Sequence, residues 1–141
     1  MTHPKVFTTN YFNTFIEVAE DAHRTAGTMP EPGKKGKTIA AMQFEMVARH
    51  PYGYTSDEVL FQVFADRNDL TEPEYEHAKA AFFSKGQPCF RASPLPKSYG
   101  FGVHFNEAGK MAIYGVESEK YRSLVADPTV TKLKAMRSSR A

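Results

Sequence analysis

The chain has 141 residues, 41% of them hydrophobic and 24% charged, with a formal net charge of +2, eleven Phe, seven Tyr, six Met and no Trp. This is ordinary globular composition, and the length suits a single domain over residues 1–141 that buries about 68% of its unfolded surface. A lone cysteine, Cys89, excludes an intramolecular disulfide framework and a Cys-rich zinc site, and no window approaches the ~18 apolar residues of a membrane span.

The first six residues, Met1 to Val6, hold no long apolar run and so do not read as a secretory signal. With no disulfide, this points to the cytoplasm. The β-branched alternation of Thr14, Ile16 and Val18 predicts a strand over Asn13–Ala19. Residues 24–37, with three lysines, three glycines and two prolines, read as a long surface loop. Ile39, Met42 and Met46, set among Ala, Gln and Glu, predict a helix over Thr38–His50, ended by the turn His50-Pro51-Tyr52-Gly53.

Thr55-Ser56-Asp57-Glu58 is a capping box with Tyr54 and Val59 at the staple positions, and it predicts a helix over about 56–68. Thr71-Glu72-Pro73-Glu74 repeats the device, with Leu70 and Tyr75 as staple. It predicts a helix over about 72–85 that Gly86 stops in the left-handed conformation. Gln87 to Lys97 holds three prolines and reads as loop. Tyr99–Phe105 and Lys110–Glu117 form a hairpin around Asn106-Glu107-Ala108-Gly109, whose four-residue loop sets Phe105 opposite Lys110 and Val103 opposite Ala112. Ser118 caps a helix through Tyr121, Leu124 and Val125. Asp127-Pro128 opens another, with Val130, Leu133 and Met136 as its stripe, before a basic tail at 137–141. The expected fold is α+β: a small antiparallel sheet, made of the N-terminal strand and the C-terminal hairpin, packed with four to five helices.

Charge is unevenly spread. Residues 1–76 carry seven basic and twelve acidic side chains, and residues 77–141 carry eleven and four. No acid stands between His77 and Asn106, where Lys79, Lys85, Arg91 and Lys97 fall. Such a window can favour an anionic partner, although the basic half resting on the acidic half is the more ordinary explanation. The hairpin face with Gly100, Gly102 and Gly115 is nearly bare. It suits either a flat ligand with His104 at its rim or a closely packed element of the chain itself.

The segment Ser84 to Leu95 gathers polar and cationic groups on a proline-constrained stretch. It supports a binding or accessory role toward an anionic small molecule or an acidic protein, through Lys85, Gln87, Arg91, Lys97 and His104. Arg91 is suited to a bidentate contact with carboxylate or phosphate. The alternative is a thiol-dependent enzyme with Cys89 as nucleophile. Lys85 and Arg91 would lower the thiol pKa, and His50, His77 or His104 would act as base. Against it stands the ordinary role of a lone Cys as a buried small hydrophobe. Three helices followed by a hairpin also fit the order of a winged-helix DNA binder, but Glu72, Glu74 and Glu76 at the start of the third helix oppose phosphate contact, so nucleic acid is not the expected partner. The five histidines have no metal-ligand spacing, and no glycine fingerprint for a nucleotide is present, so neither metal nor cofactor is expected.

The stretches Asn10-Tyr11-Phe12-Asn13-Thr14-Phe15-Ile16, His50-Pro51-Tyr52 with Thr55 to Phe61, Ser84 to Leu95, Tyr114 to Tyr121 and Leu133 to Arg140 resemble a bacterial family of small proteins of unknown function. The resemblance spans nearly the whole chain. It implies an intact single domain in a bacterial cytoplasm, and it carries no activity, cofactor or catalytic residue with it.

Overall fold

Local signals decide most of the helices. A computed structural model describes residues 7–31 and 36–137. Thr38 accepts the Ala41 N–H at 3.1 Å and opens helix α1, Ile39–Arg49. Thr55 and Glu58 exchange side-chain to backbone bonds, 3.2 and 2.8 Å, at the start of α2, Ser56–Arg67. At the start of α3, Glu72–Phe82, the Thr71 hydroxyl and N–H both donate to the Glu74 carboxylate, 2.9 and 3.4 Å. This helix is shorter than the sequence suggests, and Gly86 is not its left-handed stop. Side chains close its end instead: Ser84 Oγ donates to the Ala81 carbonyl at 2.6 Å and Gln87 Nε2 to the Phe82 carbonyl at 2.7 Å.

The proline-rich stretch is not plain loop. It forms a 3-10 turn over Phe90–Ala92 and then a short helix α4, Pro94–Ser98, with Ser93 as its cap and Pro94 in its first turn. Ser118 caps the fifth helix, α5, Glu119–Ala126, as its position predicts. Among the described residues, no helix is long and apolar enough to cross a membrane.

The sheet is mixed, not antiparallel throughout. Its order is β3-β2-β1-β4, where β1 is Thr14–Glu17, β2 Phe101–Phe105, β3 Met111–Gly115 and β4 Thr131–Lys134. β2 runs antiparallel to both neighbours, and β4 runs parallel to β1. The expected last helix is therefore a strand. Asp127 Oδ1 accepts the Thr129 N–H and hydroxyl, 2.9 and 2.6 Å, in a turn that stops α5 short of the apolar stripe. The chain beyond it completes the ladder on the open side of β1, with Thr131 N donating to Asn13 O at 3.0 Å and Ala135 N to Glu17 O at 2.9 Å.

The hairpin register also differs by one residue on the second strand. Asn106 Oδ1 accepts the N–H of Ala108 at 3.0 Å and of Lys110 at 2.9 Å, and Asn106 N donates to Lys110 O, so the connection takes five residues. Gly109 supplies the positive φ of +80° that the turn needs. Phe105 then faces Met111, Val103 faces Ile113, and Gly102 faces Tyr114.

Ile16, Val103, Phe105 and Met111 form one face and pack with Val47, Val59, Val63, Phe90 and Leu95 in the main core. Each such buried side chain contributes about 1.5–3 kcal/mol. The one-residue shift sets Gly115 opposite Phe101, on the other face from Gly102, so the expected three-glycine face is not formed, and the face that bears Gly102 is closed. Phe15, Tyr121, Leu124 and Val130 form a second core there, and Tyr121 lies edge-on to Phe15 at 4.9 Å. A Cβ added at Gly102 would strike Phe15 and approach Tyr121 to 2.6 Å. The glycine therefore admits the chain's own helix, not a ligand. The hairpin is no projecting wing either, because β2 is paired on both sides.

Candidate functional site

A cleft of about 480 Å3 opens between α1, α2, the end of α3 and the stretch 87–94. That size is usual for small-molecule sites. Its walls are apolar: Leu60, Val63 and Phe64 from one face of α2, Ile39 from α1, Phe82 from α3, and Pro88, Ala92 and Pro94 opposite them. Ile39 and Phe64 remain exposed at 40% and 37%, so the rim is apolar as well.

Polar groups enter at few points: Gln43, Arg67, Asn68, Gln87, Cys89 and Ser93. Ser93 Oγ accepts the Leu95 N–H and donates its proton to Gln43 Oε1 at 2.6 Å, which fixes the amide of Gln43 with its nitrogen as the free end. Gln43 is only 3% exposed, yet its nitrogen has no hydrogen-bond partner among the described residues. Asn68 and Gln87 are different, since their amide nitrogens donate to the Phe64 and Phe82 carbonyls. Arg67 lies one helical turn beyond Val63 and Phe64 and forms no ion pair among the described residues.

Cys89 is half-buried in the cleft wall, and the Tyr11 hydroxyl donates to its Sγ at 3.1 Å. The placement of Tyr11 follows from a clamp on the preceding residues. The Asp57 carboxylate accepts from Thr8 Oγ1, Thr9 N and Thr9 Oγ1, each at 2.7 Å, and Asp57 N donates to Asn10 Oδ1 at 2.9 Å. Burial, and then the bond to Cys89, push the Tyr11 pKa up to about 12, with Arg91 acting in the opposite direction. Tyr11 therefore keeps its proton and remains a donor to sulfur through the neutral range.

The residues expected to form an anion site do not converge. Gln87 and Cys89 line the cleft, while Lys85 is exposed beside it and Lys97 sits half-buried on α4. Arg91 is occupied at the sheet edge: its Nε donates to Lys134 O at 2.7 Å and its carbonyl accepts from Met136 N. It thereby covers part of the outer edge of β4. His104 is on the far face of the sheet. None of His50, His77 and His104, the three histidines considered as a base for Cys89, lines the cleft.

His104 belongs to a second polar group. The Tyr52 hydroxyl joins His104 Nδ1 at 2.7 Å and Tyr114 OH at 2.9 Å. Tyr52 itself has φ +58°, a strained value for an aromatic residue. Burial, and then Tyr114, raise the Tyr52 pKa, and burial, with Lys120, lowers that of His104 against the pull of Asp127. A neutral imidazole accepting at Nδ1 fits this network. Among the described residues, no three His, Cys, Asp or Glu side chains come together as metal ligands.

Sequence reasoning passed over Gln43, Arg67 and Tyr11. The signal for Arg67 was its place on the Leu60, Val63 and Phe64 face, and that for Gln43 was its i+4 spacing from Ile39. No curated protein and no solved structure matches the chain. A family model does match, over residues 6–141, and the chain belongs to that family, described as a family of unknown function (DUF6157).

Proposed function

We propose that this protein binds a small amphipathic molecule in the cleft, with the apolar body between α1, α2 and α3 and an anionic, hydrogen-bond-accepting head at Arg67 and Gln43. One observation carries the reading: a roomy, mostly apolar hollow lined at few points by polar side chains, among them Gln43 and Arg67, whose guanidinium forms no ion pair among the described residues. An apolar body gains by leaving water, and an anionic head accepts charge-assisted hydrogen bonds from Arg67. The anionic ligand foreseen for Lys85, Arg91, Lys97 and His104 thus moves to a different cation. A free thiol in the wall suits the reducing bacterial cytoplasm that this reading assumes.

The protein has no Trp, so Phe64→Trp places a single fluorescent reporter at the rim. Titration with octanoate should quench or shift its emission saturably, while octylamine binds at least ~10-fold more weakly. Arg67→Gln should remove most of that preference, because a charge-assisted hydrogen bond is worth about 1.5–3 kcal/mol. Equal binding of octanoate and octylamine, or no saturable signal with either, refutes the proposal.

A further inference from the structure

We infer that the natural ligand of the cleft is a ring-bearing carboxylate, a rigid aromatic acid and not a straight-chain fatty acid. The inference rests on the cleft being a ligand site and names the class of molecule that fits it. Shape is the first argument. The α2 wall runs from Leu60 to Arg67, seven residues and so about 10 Å along the helix axis. A hollow of about 480 Å3 over that length has a mean cross-section of about 50 Å2. An extended alkyl chain is only about 4–5 Å across at van der Waals contact, and fills less than half of that section. A single chain would therefore leave voids or water along its flank, whereas a flat fused ring spans the width.

The lining is the second argument. Phe64 and Phe82 stand side by side in the wall, with ring centroids 4.8 Å apart and planes tilted by 41°, and they offer faces and edges to an aromatic guest. Pro88 and Pro94 add two rigid rings to the lining. A rigid ligand also loses less rotational freedom on binding than a chain does. Charge is the third argument. Among the described residues, no Asp or Glu lines the cleft, and Arg67 is the one formally charged side chain that does. Its fork of N–H donors matches the two oxygens of a carboxylate, and Arg67 follows Phe64 on α2 by three residues, within one helical turn. A ring lying on Phe64 thus brings a carboxylate attached directly to it toward the guanidinium.

The test is isothermal titration calorimetry of the full chain with 2-naphthoate and with undecanoate, which has the same number of carbons. Apolar area alone favours the flexible chain. The expected result is the reverse, with 2-naphthoate bound at least ~5-fold more tightly. Phe64 is 37% exposed, so Phe64→Leu leaves the fold intact; it should erase most of that preference while changing the undecanoate Kd by less than ~2-fold. Undecanoate bound as tightly as 2-naphthoate, or more tightly, overturns the inference and leaves the cleft reading standing. If neither acid binds, both fail. A preference for 2-naphthoate that survives Phe64→Leu overturns the part assigned to the Phe64 ring.

Discussion

Gly102→Ala asks whether the glycine-bearing face of the sheet is sealed. A strand-interior glycine normally costs about 0.5–1 kcal/mol relative to alanine, so on an open face the substitution would stabilise the protein. Here the new Cβ would collide with the Phe15 ring and come within 2.6 Å of Tyr121 Cε2, atoms of a second core with little room to yield. Overpacking of this kind costs about 1–3 kcal/mol, which leaves a net loss of about 1–2 kcal/mol after the gain in propensity. For a chain of this size, that is a fall in Tm of roughly 3–8 °C. Urea unfolding with an unchanged m-value isolates the effect on stability. Adding Tyr121→Leu should restore part of the loss, giving a double-mutant cost below the sum of the two single costs. A Gly102→Ala protein as stable as the parent, or more stable, would show that α5 does not lie against this strand and would reopen the face to a ligand.

Asn106→Ala should cost about 1–2 kcal/mol, because the N–H groups of Ala108 and Lys110 lose their acceptor in the turn; an unchanged urea midpoint contradicts that account of the register. Burial lowers the folded-state pKa of His104, so the unfolded chain takes up its proton first as the pH falls. Stability from this group is therefore full above about pH 6.5 and declines below it, down to the folded pKa, and His104→Gln should flatten that acid slope in pH-dependent melting. Tyr11, Tyr52 and Tyr121 all have raised pKa values, chiefly through burial. Their contribution persists below about pH 10 and is lost as the pH climbs toward the folded values, so alkaline melting should begin near pH 10 and ease in Tyr11→Phe.

The helices were legible because their caps are written in adjacent residues: Thr55 with Glu58, Thr71 with Glu74, and Ser118. The strand β4 was not. Val130, Leu133 and Met136 are spaced for a helix face, while Thr131 to Lys134 also alternate. Only pairing with β1, far away in the chain, decides between the two. The hairpin register depended on a single side chain, Asn106, whose acceptor lengthens the turn by one residue. The site was legible in part. Gln87 and Cys89 stood out as polar groups on a constrained stretch, but Lys85, Arg91, Lys97 and His104 were grouped by sequence proximity alone, and folding separates them. Leu60, Val63 and Phe64 gave no sign of the cleft, because a helix face toward a hollow carries the same apolar spacing as one toward packed side chains.

Amide chemical-shift mapping of the 15N-labelled chain with octanoate tests the binding claim most directly, since it reports position as well as occupancy. The account predicts saturable shifts in the Gln43 side-chain amide, in the backbone of residues 87–94 and around Arg67, with the β2–β3 hairpin unmoved. Shifts confined to the Tyr52, His104 and Tyr114 region, or none at saturating octanoate, would contradict it.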